Sequence, residues 1–137
     1  MTSGILLVAA QRELRRSLFD VFDHAGFAHI HSARDVTHAA ILLEGRPPLS
    51  LLQLVVVVFS SDAQQARHCC EQLHSMAGTA DTPLIAVLTS EATLDPADLP
   101  AVVTDWLHVT QISTELVARW QRTQKALLQP PRVGARA

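Results

Sequence analysis

The chain has 137 residues, of which 48% are hydrophobic, 18% charged and 4% aromatic, with a formal net charge of −2. That length suits one domain with one core, and the apolar share excludes a disordered chain. Apolar runs such as Ile5 to Ala10 and Leu54 to Phe59 are strand-sized, far short of a bilayer span.

The start Met1-Thr2-Ser3-Gly4 lacks the basic region of a secretion signal. The two cysteines, Cys69 and Cys70, are adjacent and form no disulfide framework, so a reducing cytoplasm is the expected setting. All 13 acidic residues lie at or before Glu115, whereas Arg119, Arg122, Lys125, Arg132 and Arg136 fall in the last 19 residues. These positives are thinly spread and broken by Pro130-Pro131. They read as a solvated helix face running into a linker, not as a nucleic-acid surface.

Ile5 to Ala10 has the pattern of a strand buried on both faces. Arg12 to Ala25 follows with Leu14, Leu18, Val21, Phe22 and Ala25 at helical spacing, and Gly26 stands at the expected C-cap. Phe27 to Ser32 alternates as a short strand. Ser32, with Asp35 three residues on, predicts the N-cap of a helix through Val36, Ala39, Ala40 and Leu43. Gly45-Arg46-Pro47-Pro48 stops it.

Leu54 to Phe59 is the most β-favouring stretch. Ala63 to Ala77 predicts a third helix with Ala66, Cys69, Cys70, Leu73 and Met76 inward. Gly78 to Pro83 connects it to a strand over Leu84 to Leu88. Residues 91–104 hold Pro96 and Pro100, which keep any helix there short or broken. A fifth strand is expected around Trp106-Leu107. The last helix opens at Ser113, with Ile112 and Val117 placed for a hydrophobic staple, and continues to Gln129.

Strand and helix thus alternate five times, which predicts an α/β fold: a flavodoxin-like, doubly wound parallel sheet of order 2-1-3-4-5 with helices on both faces. In such sheets ligands bind beyond the carboxyl ends of the strands. The residues to inspect are Ala9-Ala10-Gln11, Val58-Phe59-Ser60, Thr89-Ser90 and His108-Val109-Thr110.

Residues 4–128 resemble the receiver domains of two-component response regulators, the CheY-like family. The likeness rests on Ile5-Leu6-Leu7-Val8, Ala25-Gly26-Phe27, the stretch Pro83 to Ser90 and Asp105-Trp106-Leu107. It implies a receiver-like domain over 1–128, with 129–137 a linker to something further. It also implies which positions carry the family's chemistry. The metal-holding acidic pair falls on Ala9 and Ala10, and the phosphoacceptor aspartate on Val58. The lysine falls on Val109, its following proline on Thr110, the strand-4 hydroxyl on Thr89, and the aromatic switch on Trp106.

Four of those groups are therefore apolar here. Alanine offers a hard cation no oxygen ligand, and valine is no nucleophile. The expectation is a degenerate receiver without catalytic residues, cofactor or metal. It would act by protein–protein contact, as a homodimer or on a signalling partner, through the strand-5/helix-5 side. Trp106, His108 and Trp120 are the interface candidates; against that, Trp106 also reads as core or pocket cover and Trp120 equally as core. By resemblance, an attached cyclic-di-GMP enzyme (GGDEF or EAL) or a histidine kinase would be the effector.

The alternatives are a small-molecule or metal sensor using the vacated pocket, and a receiver phosphorylated at a displaced Asp62. Asp62, Ser60 and Ser61 read more simply as loop and cap residues. Thr89 reads as a strand-end hydroxyl on backbone. His29 with His31, and His68 with Glu71 and His74, share faces but lack a recognisable ligand spacing. Cys69 and Cys70 read as packing. Five scattered glycines build no phosphate loop.

Overall fold

The computed structural model describes residues 3–27, 29–44, 51–60, 63–75, 82–92, 95, 97, 99, 100 and 103–128. Expectations for the breaker at 45–48, for Ser61, Asp62, Met76 and Pro96, and for the tail 129–137 fall outside them. Five strands are formed: β1 (Ser3–Val8), β2 (His29–Ala33), β3 (Leu51–Phe59), β4 (Leu84–Leu88) and β5 (Asp105–His108). The helices are α1 (Arg12–His24), α2 (Val36–Glu44), α3 (Ala63–Ser75) and α4 (Ile112–Leu128), the last preceded by a 3₁₀ turn, Val109–Gln111. All strand pairs are parallel and their order is β2-β1-β3-β4-β5, the doubly wound arrangement that the alternation predicts.

Strand alternation sorts the side chains into two apolar layers. Leu6, Val8, Val55, Val57, Phe59, Leu84, Ala86 and Leu88 face α2 and α3, where Ala39, Ala66, Cys70 and Leu73 complete the layer. Ile5, Leu7, Leu54, Val56, Ile85, Val87 and Leu107 face α1 and α4, meeting Leu18, Phe22, Ile112, Leu116 and Trp120. Continuous apolar strands are what a sheet covered on both sides requires.

Gly26 closes α1 as expected. Its φ of 97° lies in the left-handed region. The Gly26 N–H donates to Asp23 O and the Phe27 N–H to Phe22 O, each at 3.1 Å, the paired bonds of a Schellman ending. The hydrophobic contact that goes with it is Phe22 edge-on to Phe27, with ring centroids 5.5 Å apart; Phe27 then meets Trp120 at 4.9 Å. One helix ending is thereby stapled to α4.

Two local expectations are corrected. Helix α2 is capped by Asp35, not Ser32: Asp35 Oδ1 accepts the His38 N–H at 2.7 Å, while Ser32 belongs to β2. The α4 segment is capped by His108, not Ser113. His108 Nδ1 accepts from the Thr110 N–H at 3.3 Å, and Gln111 Oε1 accepts the His108 N–H at 2.9 Å. The described residues between β4 and β5 contain no α-helix, in keeping with the short or broken helix expected there. Ala92, Leu99 and Val103 of this stretch pack on the sheet, and the Thr104 N–H donates to Leu84 O at 2.8 Å.

Candidate functional site

The carboxyl ends of β1, β3 and β4 lie side by side, because Val8 pairs with Val57 and Val58 with Val87. Ala9 is 1% exposed, and its N–H extends the ladder to Ala33 O at 3.0 Å; Ala10 is exposed. Val58 and Val109 are half-buried against the α1/α4 layer. Thr89 is buried, and its Oγ1 accepts the Glu91 N–H at 3.3 Å, the turn-forming role of a strand-end hydroxyl. Thr110 is exposed and bound to His108.

The sequence reading missed a cation bonded to this edge. Arg15, on the first turn of α1, donates from Nη1 to Ala9 O at 2.8 Å and to Ala10 O at 3.0 Å. Residue spacing alone gives no warning, because the bond depends on how the β1–α1 turn folds back.

Beside these strand ends, between α2 and α3, opens a cleft of about 300 Å³. Val8, Ala9, Val57, Val58 and Phe59 line it from the sheet. Gln65, His68, Cys69 and Gln72 line it from α3, at the i, i+3, i+4, i+7 spacing of one helix face. That stripe was legible in the sequence, next to the apolar one. Burial raises the Cys69 thiol to about 11 and, with the nearby Cys69 and Glu71 charges, Cys70 to about 12. Both thiols are protonated at neutral pH and are poor nucleophiles.

One tryptophan reading needs correcting. Trp106, expected as core or pocket cover, is 39% exposed, whereas Trp120, read equally as core and as interface, is 8% exposed within the α1/α4 layer. Leu107 faces that layer, so its neighbours Trp106 and His108 project on the other side of β5, where the crossover forms no described helix. Arg119 ties this strand to α4: Nη1 lies 2.9 Å from Asp105 Oδ1 and 2.8 Å from Trp106 O. Among the described residues, no group of three His, Cys, Asp or Glu comes together as a metal site, and no helix is long and apolar enough to cross a membrane.

Known structures share this architecture. The chemotaxis response regulator CheY4 of Vibrio cholerae superposes with a TM-score of 0.62 at 15% identity, covering 88% of this chain and 99% of that one. A response regulator receiver modulated diguanylate cyclase from Pelobacter carbinolicus gives 0.65 at 19% identity over 91% and 97%. The receiver domain of a signal transduction histidine kinase from Syntrophus aciditrophicus gives 0.65 at 16% identity over 95% and 96%. The fold is therefore that of response-regulator receiver domains. No protein-family model matches the sequence, and no curated protein is significantly similar to it.

Proposed function

We propose that the chain is a phosphorylation-independent, receiver-like regulatory domain of a signal-transduction protein. The observation that carries this reading is the chemistry of the strand ends. The resemblance assigns Ala9, Ala10, Val58 and Val109 to the positions of the family's phosphorylation machinery, and the Arg15 guanidinium is bonded to the carbonyls of Ala9 and Ala10. This donor set does not fit Mg²⁺. A hard dication needs several oxygen ligands, and a fixed cation on two of the local carbonyls opposes it. Phosphoryl transfer also needs charge neutralisation that these side chains cannot provide.

Signalling then proceeds by contact. Exposed Trp106 on the edge strand, beside the Arg119–Asp105 pair, is the anchor for a second copy of the chain or a signalling partner. An attached effector of the cyclic-di-GMP or histidine-kinase type would be its output, the kind of protein named among the structural neighbours. The test is a ¹H–¹⁵N NMR spectrum recorded with Mg²⁺ and beryllofluoride or acetyl phosphate. An unchanged spectrum is expected. A saturable, stoichiometric change overturns the reading and directs attention to Asp62.

A further inference from the structure

We infer that the cleft between α2 and α3 is a binding site for a small organic anion, a carboxylate carried on an apolar, ring-sized body. The sheet side of the cleft is apolar, from Val8 to Phe59, and its volume of about 300 Å³ lies at the lower end of small-ligand sites. The apolar floor given by Val8, Ala9, Val57, Val58 and Phe59 suits an apolar body, while Thr37, Ser60, Gln65, His68 and Gln72 supply polar groups along the walls.

Charge selects the head group. Among the described lining residues, two carry full charges, Arg34 and Asp35. Asp35 is committed to α2, where its Oδ1 accepts the His38 N–H at 2.7 Å and the positive helix end offsets its charge. Exposed Arg34 is the cation among the described lining residues, and a guanidinium's planar fork matches a carboxylate in two parallel hydrogen bonds. His68 and Thr37 add further polar groups around the opening. A divalent metal is disfavoured, because the one carboxylate among the described lining residues is already engaged. A phosphate dianion would set two charges against one guanidinium.

The inference stands apart from the signalling reading, because it uses the α2–α3 side of the strand ends and no phosphoryl chemistry. Its test is an NMR titration of the full chain with phenylacetate and with the neutral analogue phenylacetamide. Phenylacetate is expected to shift saturably the amides of residues 34–37, 58–60 and 65–72, and phenylacetamide to bind about tenfold more weakly. Arg34→Gln should weaken the acid about tenfold and leave the amide unchanged. No saturable shift, shifts scattered over the chain, equal binding of acid and amide, or indifference to Arg34→Gln each overturn the inference. A response to beryllofluoride would instead overturn the proposed function, so the two failures are separable.

Discussion

Arg15 is bonded to Ala9: one guanidinium nitrogen sits 2.8 Å from the carbonyl oxygen at the exit of β1, and 3.0 Å from that of Ala10. A side chain of α1 thus braces the turn that precedes its own helix, at the carboxyl end of β1.

Removing that bond has a definite consequence. Arg15→Ala should cost about 1–2 kcal/mol, the range of hydrogen bonds from a charged donor at a half-buried site, read as a lower urea midpoint with unchanged slope. Amide exchange at Gln11 and Arg12 should quicken. Arg15→Lys should recover only part of the loss, because an ammonium lacks the rigid fork that spans two carbonyls.

A second cation holds the opposite edge. Arg119 meets Asp105 at 2.9 Å and Glu115 at 3.6 Å, with roughly a quarter to a third of each side chain exposed. Screening keeps such pairs weak, so Asp105→Asn should cost about 1 kcal/mol or less and lose part of its effect at high salt. Arg119→Ala should cost more, about 2 kcal/mol, because the Trp106 carbonyl loses its donor as well. Thermal denaturation at two salt concentrations separates the two variants.

Much of the fold was legible because both-face-buried strands leave an unmistakable apolar signature: Ile5 to Val8, Leu54 to Phe59 and Leu84 to Leu88 all form strands. Gly26 was equally readable, since few other residues tolerate its φ. The caps were not. Ser32 has the right chemistry for a cap, but β1 recruits it into a strand by pairing it with Leu7, and Asp35 takes the role. The weak helix expected after β4 was readable too, since Pro96 and Pro100 interrupt its stretch and the described residues there form no α-helix. At the site, residue identities were readable, but the Arg15 bond and the α2–α3 cleft depend on tertiary placement. Asp35→Ala should therefore cost about 1 kcal/mol, and Ser32→Ala less than about 0.5 kcal/mol.

The two tryptophans should separate stability from association. Trp120→Ala removes a ring packed edge-on to Phe27 and should cost about 3–5 kcal/mol, enough to threaten the fold itself. Trp106→Ala removes a side chain that is 39% exposed and should change stability by little more than about 0.5 kcal/mol. If β5 carries the docking surface, Trp106→Ala should still lower the sedimentation-equilibrium mass toward monomer. A wild-type chain that stays monomeric at every concentration, or a variant that associates as before, removes self-association from the role of Trp106.

The adjacent thiols predict how stability responds to alkali. Burial lifts Cys69 to about 11 and Cys70 to about 12 from an ordinary 9.0, so the native state holds both protons more tightly than the unfolded chain does. A raised native value gives stability that is fully present below pH 9 and is lost as pH climbs through 11 to 12. Urea midpoints should therefore fall between pH 8.5 and 10.5, and Cys70→Ala should flatten that fall while costing stability at neutral pH through the lost packing. At pH 8 a thiol reagent such as DTNB should react slowly with the native chain and rapidly with both cysteines once urea unfolds it. Fast native labelling would mean that these sulfurs are less desolvated than their packing beside Ala66 and Leu73 requires.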